Sequence, residues 1–516
     1  MRLSRGALFS LAVILFTLAS IGCGSGNFTP PLTAISPTSH PLVAQYIIRH
    51  FHSGLTAWVE FGTDTNYGRQ TSVLTDADSV TGSGGDVLNI LVAGMKQQTL
   101  YHMRAHVEWS GGSWVDQDRT FTTGAILNPE EDLPQMSASR PSSTFASASS
   151  SGGVELLSLV NTTSPQGVLS TSPLQGVVTD LQGNVIWYCP GEAIPFKPMQ
   201  NGHYIFMRGK GLEEVDLACN TIRYVSLTQI NQSLPTHGYF FPPVTSLHHD
   251  MLVLPNGHWI ALGQITKSVT ADGYGTLDVQ GDVLMDIDPD GNVVWAWSAF
   301  DHLDINRHLF GLPDWTHSNA LVYTEDGNLL LSMRNQSWIL KIDYANGAGT
   351  GNIIWKLGEG GDFTLAGGDP SQWFYAQHFP YIMSVNGSQT TMAIYDDGDL
   401  RIDSSGQPCE PPIPPVTTCY TRATIFQIDE STNNASLLWE DSPGFFSFWG
   451  GSIEVLPNGN VEFDSSAQFG YTVASQVNEV TQTDSPQTVW QLTITGANAY
   501  RGYRIPSLYP GVTWQQ

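Results

Sequence analysis

LHHDMLVLPNGHWIALG, residues 247–263, reads as a strand, a turn at Asn256-Gly257 and a second strand, and GNVVWAW at 291–297 completes the unit with a strand carrying Trp295. Asn-Gly between apolar runs is a strong hairpin signal, because both residues tolerate the positive φ of a tight turn. The turn recurs at Asn201-Gly202, Asp326-Gly327, Asn386-Gly387 and Asn458-Gly459. The tryptophan strand recurs in GNVIWY (Trp187), GNIIWKL (Trp355), SLLWE (Trp439) and QTVWQL (Trp490). Turns spaced roughly fifty to seventy residues apart fit four-stranded units with unequal loops, and the expectation for 153–516 is an all-β β-propeller. Five repeats are visible, and the chain ends can complete a sixth. Almost no segment keeps a helical period, which argues against an α/β enzyme.

Upstream, AWVEFGTDTNYG (57–68), LVAGMKQQTLYHMRAHV (91–107) and FTTG (121–124) alternate and turn. Residues 28–124 are therefore expected to form a β-sandwich similar to a fibronectin type III module. His102 and His106 alternate with apolar neighbours and read as strand-surface residues. The Ser, Pro and Gly-rich stretch 125–152 reads as a flexible connector. Residues 1–23 read as an export signal: Arg2 and Arg5, an apolar run from Ala7 to Ile21, then small residues around Cys23. Cys23 resembles the lipid-modified cysteine of bacterial lipoproteins, although Ser20 stands where that pattern prefers Leu. The two readings are a lipid-anchored periplasmic, outer-membrane or cell-surface protein, and plain secretion.

The sequence carries 21 basic and 47 acidic residues, a formal charge of −26, with no basic cluster. Such a field repels phosphate backbones, so nucleic acid is not an expected partner. The remaining cysteines, Cys189, Cys219, Cys409 and Cys419, are even in number, which in an exported chain favours disulfides. Two local pairs are the simplest connectivity, Cys409 with Cys419 around a proline-rich excursion and Cys189 with Cys219. Monomer and homo-oligomer both remain open.

The residues able to do chemistry lie in separate polar islands. LHHDM (247–251) holds His248 and His249, DWTHSN (314–319) holds His317 and Asn319, LSMRN (331–335) holds Arg334, and AQHFP (376–380) holds His378. Each adjoins a strand, so a fold that gathers strand ends around an axis would unite them. In an extended segment His248 and His249 face opposite sides, so at most one reaches a shared channel, and the pattern does not say which. Alternation puts His317 and Asn319 on one side, with Arg334 across a hairpin. Packed histidines in a carbohydrate- or protein-binding propeller are one alternative. A metal-dependent hydrolase using these histidines and Asp250 is another, but the paired short-spacing ligands of a strong metal motif are missing. DIDPDGN (286–292) reads as an acidic hairpin turn, since Trp297 stands where a calcium loop needs Glu. No phosphate loop, nucleophile elbow or nucleotide fingerprint is present.

The ordered series HHDMLVLPNG, DWTHSNALVY, LSMRNQSWILKID, GNIIWKLGEGGDF, AQHFP, IYDDGD and YRGYRIPSLYP resembles the bacterial arylsulfate sulfotransferase family across most of 155–510. The resemblance implies a six-bladed propeller, exported, that moves a sulfuryl group from a phenolic sulfate donor to a phenol acceptor. It implies no nucleotide, cofactor or metal, and a transient sulfohistidine. Carried over by position, it makes His378 the nucleophile and has His317, Asn319 and Arg334 hold the sulfuryl oxygens. It selects His249 over His248 to assist at the phenolic oxygen, which leaves His248 as a substrate-binding neighbour. One departure lies in IYDDGD, where the family commonly has Asn before the Gly and this chain has Asp397-Gly398; it reads as an exchanged turn residue.

Overall fold

The computed structural model describes residues 30–51, 53–82, 85–126, 133–141, 150–163, 170–208, 210–410, 418–466 and 474–514. The expected signal segment and Cys23 lie outside them. The described chain is all-β apart from one α-helix, Leu227–Thr236, and short 3-10 turns.

Two antiparallel sheets form the N-terminal part. One orders Leu32–Pro37, Ala44–Arg49, Gly85–Val92 and Val80–Gly82, and the other is built on Arg119–Thr122, Leu100–Trp109, Thr56–Gly62 and Arg69–Gln70. Alternation in Thr56–Gly62 and Leu100–Trp109 buries every second residue. Those residues join Tyr46, Ile48 and Ile90 of the first sheet in one apolar core. His102 and His106 stay on the outer face, against Asp118 and Glu60.

Six further sheets follow, each built on an antiparallel meander of four strands, with a fifth edge strand added in two of them. Their first strands are β1 (Phe196–Pro198), β2 (Ser246–Val253), β3 (Ser318–Tyr323), β4 (His378–Asn386), β5 (Ser452–Val455) and β6 (Asn498–Ile505). β2, β3, β4, β5 and β6 touch in succession. β1 joins them through Lys197, whose ammonium lies 2.5 Å from Asp250 of β2. On its other side the Phe196 N–H donates to the Ser158 hydroxyl at 3.3 Å. β6, the last strand, pairs with Val154–Thr163, so the first sheet is made from both ends of the repeat region.

That closure explains the count of five turns and five tryptophans. The turns join first to second strands, and the first sheet has none there because its first strand is β6. The tryptophans lie on fourth strands, and in the second sheet Arg223 takes that place, its guanidinium 3.7 Å over the Trp259 ring. Each turn Gly does what the reading requires; Gly257, for example, sits at φ +82°.

The connector expected at 125–152 is not wholly free. Gln135–Ser139 pairs with Thr488–Thr495 as a fifth strand of the sixth sheet, and Ile126 is buried. A Ser and Ala-rich sequence needs no apolar alternation to fill an edge position, because the partner strand supplies the hydrogen bonds. The C-terminal tail packs against the sandwich: Tyr509 donates to the Leu91 carbonyl and Trp514 to that of Gln70, both at 2.9 Å. Both cysteine pairs form as expected, with Cα separations of 5.8 Å for Cys189–Cys219 and 5.2 Å for Cys409–Cys419.

Where β6 meets its neighbours, Arg504 is enclosed by Glu155 of the first sheet and by Glu462 and Glu479 of the sixth, the latter two at 2.6 and 3.3 Å. All four side chains are almost fully buried. Arg504→Met strands three carboxylates in a dry interface, and we expect a loss of about 3–5 kcal/mol, read as a lowered midpoint of denaturant unfolding.

Candidate functional site

In every meander the first strand starts, and the second strand turns into the third, at the same end of the sheet. The polar islands all belong to that end. The first strands do not begin as regular strands: His249, His317 and Phe379 have φ of +62°, +46° and +43°. Pairing slips beside each, between Leu247 and Met251, Ser318 and Ala320, and His378 and Pro380. Left-handed backbone at non-glycine residues costs of order 1–3 kcal/mol, and such outliers cluster at functional sites.

The break at His249 corrects the expectation that only one of the two adjacent histidines reaches the channel. Both line the same cavity, with Nδ1 atoms 2.7 Å apart, because positive φ cancels the alternation of an extended strand. The cavity holds about 430 Å³ and draws on all six sheets or the segments leading into them. Val160 and Tyr500 come from the first, Ile194 from the approach to the second, and Leu247, His248 and His249 from the third. His317 and Arg334 come from the fourth, His378 from the fifth, and Phe448 and Trp449 from the approach to the sixth.

Arg334 opens the turn after Leu329–Met333, and this turn organises the neighbouring islands. Arg334 N–H donates to the His317 carbonyl at 3.2 Å, and the Asn335 side chain to the Asp314 carbonyl at 2.7 Å. The Gln377 amide donates to the Ser332 hydroxyl and to the Met333 and Trp338 carbonyls. The Arg334 guanidinium is fixed by the Phe448 carbonyl at 3.1 Å, the Asn335 side chain at 3.0 Å and Asp399 at 3.4 Å. Burial raises the Asp399 carboxyl to about 7, against the pull of Arg334.

His317 Nδ1 lies 2.5 Å from Asp314 Oδ2, and its ring centre is 4.7 Å from that of His249. Burial, then His317, His248, His378 and Arg501, hold the His249 imidazole well below its usual range, so it is neutral. His248 Nε2 lies 3.4 Å from Asp282 Oδ1. His378 is 1% exposed, with Nδ1 2.5 Å from Asp397 Oδ2 and Nε2 accepting the Gly450 N–H at 3.3 Å. Burial, then Arg501, Arg334 and His317, hold it well below the usual imidazole range.

Asn319, expected beside His317 at the cavity, sits behind the wall. Its amide donates to the Gln377 carbonyl at 2.8 Å, because the slip after Ser318 sends it inward. Asp250, a ligand in the metal alternative, is fully buried against Lys197 and the Leu321 N–H. Among the described residues no group of three or more His, Cys, Asp or Glu side chains is arranged to hold a metal ion. DIDPDGN is a hairpin turn: Asp288 accepts from the Asn292 backbone and side chain, while Asp286 accepts from Tyr344 at 2.7 Å and contacts His258 at 2.8 Å.

Several participants escape the sequence reading. Tyr500 and Arg501 lie in the quoted motif YRGYRIPSLYP without an assigned role; Tyr500 lines the cavity, and fully buried Arg501 donates to the Gly451 and Asn319 carbonyls beneath it. Phe448, Trp449 and Gly450 belong to SPGFFSFWGG (442–451), whose visible signal is four aromatics among small residues in a connection. Asp397 is the carboxyl on the His378 ring rather than a turn residue alone.

An all-β scaffold that converges imidazoles and a buried arginine on one small cavity defines a protein suited to holding and passing on an anionic group. A family model described as Arylsulfotransferase (ASST) matches residues 147–504, and the chain belongs to that family. Aryl sulfuryl transfer, between phenolic sulfates and phenols, is the activity at family level. No curated protein matches the chain. Among solved structures, a protein of unknown function from Bacteroides caccae is 12% identical, covering 68% of this chain and 98% of its own at a TM-score of 0.39. A putative 6-phosphogluconolactonase from Bacteroides fragilis is 13% identical, covering 88% and 98% at a TM-score of 0.33. Likenesses at these scores carry no argument for fold or activity.

Gly450 has φ +76°, and a Cβ there would meet the Ser466 Cβ at 2.9 Å and Tyr500 at 3.4 Å. Gly450→Ala is expected to cost roughly 1–3 kcal/mol from the backbone alone. It should also shift the segment bearing Phe448 and Trp449, visible as an altered tryptophan emission maximum.

Proposed function

We propose that this protein transfers a sulfuryl group from a phenolic sulfate ester to a phenol by a ping-pong route through sulfated His378. We read the six sheets as the blades of a propeller, with the cavity at one end of its axis and a fibronectin type III-like sandwich at the other. The observation that carries this reading is the His378 imidazole: neutral, with Nε2 unprotonated and accepting the Gly450 N–H, in the wall of a cavity that also holds Arg334, His317 and His249.

Sulfuryl transfer resembles phosphoryl transfer, with a planar group in flight and negative charge on three oxygens and the leaving phenolate. Arg334, already oriented by three acceptors, has in-plane N–H donors left for the oxygens. His317, anchored through Nδ1 by Asp314, offers its other nitrogen. Each such donor is worth on the order of 3 kcal/mol in a water-poor site. Phe448, Trp449 and Tyr500 flank the aromatic ring.

His249 serves the phenolic oxygen in both halves. Its Nδ1 contact with His248 joins two rings by one proton. When His248 holds that proton, His249 Nε2–H can protonate the leaving phenolate; when His249 Nδ1 takes it, Nε2 becomes the base for the incoming phenol. His248 Nε2 faces Asp282, which balances its charge when both ring nitrogens are protonated.

Export follows from the two disulfides, which fit an oxidising compartment. Attachment through a lipid on Cys23 belongs to the same proposal.

Brief exposure to 4-nitrophenyl sulfate without acceptor should add one acid-labile sulfuryl group to the peptide containing His378, read by mass spectrometry, and His378→Asn should abolish it. A label that persists in that variant rejects the assignment. Arg334→Ala should lower kcat/KM by roughly 100-fold, the equivalent of losing one preorganised donor, and chelator should leave the wild-type rate unchanged.

A further inference from the structure

Asp397 takes no part in the route above, yet it is the polar group in closest contact with His378. Its carboxyl is fully buried, with Oδ2 2.5 Å from His378 Nδ1, and Oδ1 has no hydrogen-bond partner among the described residues. The opposite ring nitrogen accepts the Gly450 N–H. A backbone amide only donates, so Nε2 carries no hydrogen, and the single ring proton sits on Nδ1 pointing at Asp397. Two contacts on opposite edges of one ring therefore fix its tautomer.

Resting on the reading of His378 as nucleophile, we propose that Asp397 is its positioning residue: the carboxyl holds the ring proton on Nδ1, so that the Nε2 lone pair has only to exchange the Gly450 N–H for sulfur, and it balances the ring once Nε2 carries the sulfuryl group. In the first half the Nε2–S bond forms and the S–O bond to the aryl group breaks, its electron pair leaving on the phenolic oxygen. The Nδ1 proton stays between Nδ1 and Oδ2, and the positive charge the ring acquires meets the carboxylate. In the second half the acceptor oxygen bonds sulfur and the N–S pair returns to Nε2. No further reactant enters.

The pair faces charge from every side. Asp396 and Asp399 flank Asp397 on its own turn, Arg334 reaches it from the fourth sheet, and Arg501 and Tyr500 act from β6. His317, His249 and Tyr395 complete the surroundings. Burial and Asp399 push the Asp397 carboxyl well up, opposed by Arg334 and Arg501. Burial and the same arginines hold His378 well down. Such a pair takes up its next proton as one unit. That proton either lands on Nε2 or discharges the carboxylate, and either outcome stops the step. Sulfation is therefore present above the pH at which the pair protonates and lost below it.

The test is rapid-quench sulfation by 4-nitrophenyl sulfate without acceptor, followed across pH for the wild type and Asp397→Asn, with the modified residue located by mass spectrometry. Asn is isosteric but uncharged and can turn either its oxygen or its amide to Nδ1. The plateau rate is expected to fall roughly ten-fold, the difference between a charge-assisted and a neutral hydrogen bond. The acid limb is expected to move to lower pH, because a carboxyl no longer shares the proton. A lowered plateau with an unmoved limb marks a packing role and overturns the proposal, as does an unchanged profile. A wild type sulfated elsewhere, or not at all, instead removes the nucleophile on which the proposal stands. A second measurement needs no Asp397 variant: 15N spectra of histidine-labelled protein, assigned with His378→Asn, should show a protonated Nδ1 and a bare Nε2. The reverse tautomer overturns the proposal.

Discussion

The structure depends on the antiparallel pairing of Asn498–Ile505 with Val154–Thr163, residues more than three hundred positions apart in the chain. This pairing completes the first of the six meanders and brings the last-made strand against the first. Its consequences differ at the two ends of the strand. At one end Tyr500 enters the cavity wall and Arg501 ties the Gly451 and Asn319 carbonyls beneath it. At the other end Arg504 fills a pocket of buried glutamates, and the tail beyond it docks on the sandwich. A single hydrogen-bonded strand thus joins the site, the first of the six sheets and the N-terminal module, and the ordering cost of so distant a contact is met by this combined burial.

The second constraint is local. Regular strands would scatter alternate side chains to opposite faces, and the first strands avoid this only by starting with left-handed residues and slipped pairing. Hydrogen bonds on both sides hold those irregular starts, especially from the Arg334–Gln336 turn and Gln377. The result is a dense set of buried ionisable groups, where burial, more than any single neighbour, keeps His249 and His378 neutral.

Much of this is legible in the sequence, for identifiable reasons. The Asn-Gly turns and tryptophan strands follow from local backbone and packing preferences, so the repeats appear without any tertiary knowledge. Each marker fails in one sheet: the first lacks its turn because a chain end supplies the strand, and the second lacks its tryptophan because Arg223 replaces it. His317, His378, Arg334 and the adjacent pair His248 and His249 line one cavity, where the sequence reading brought at most one of that pair to it. The misreadings have a common cause, since each assumed regular geometry. Alternation separated His248 from His249 and placed Asn319 at the cavity, whereas positive φ and a slipped register reverse both. Asp397 was obscured because its partner lies nineteen residues away, across a strand pair whose register the sequence does not state. Gln135–Ser139 was obscured because an edge strand added to an existing sheet needs no hydrophobic pattern of its own.

The two ends of the six sheets carry different burdens. Glutamates, the docked tail and the sandwich lie toward one end, while most residues lining the cavity come from strand starts or connections at the other. Lengthening or exchanging a connection on the cavity end can therefore reshape the wall presented to an aromatic guest without touching the pairing of Asn498–Ile505 with Val154–Thr163. New substrate ranges are in this sense reachable by loop variation alone, with the imidazoles and the guanidinium left in place.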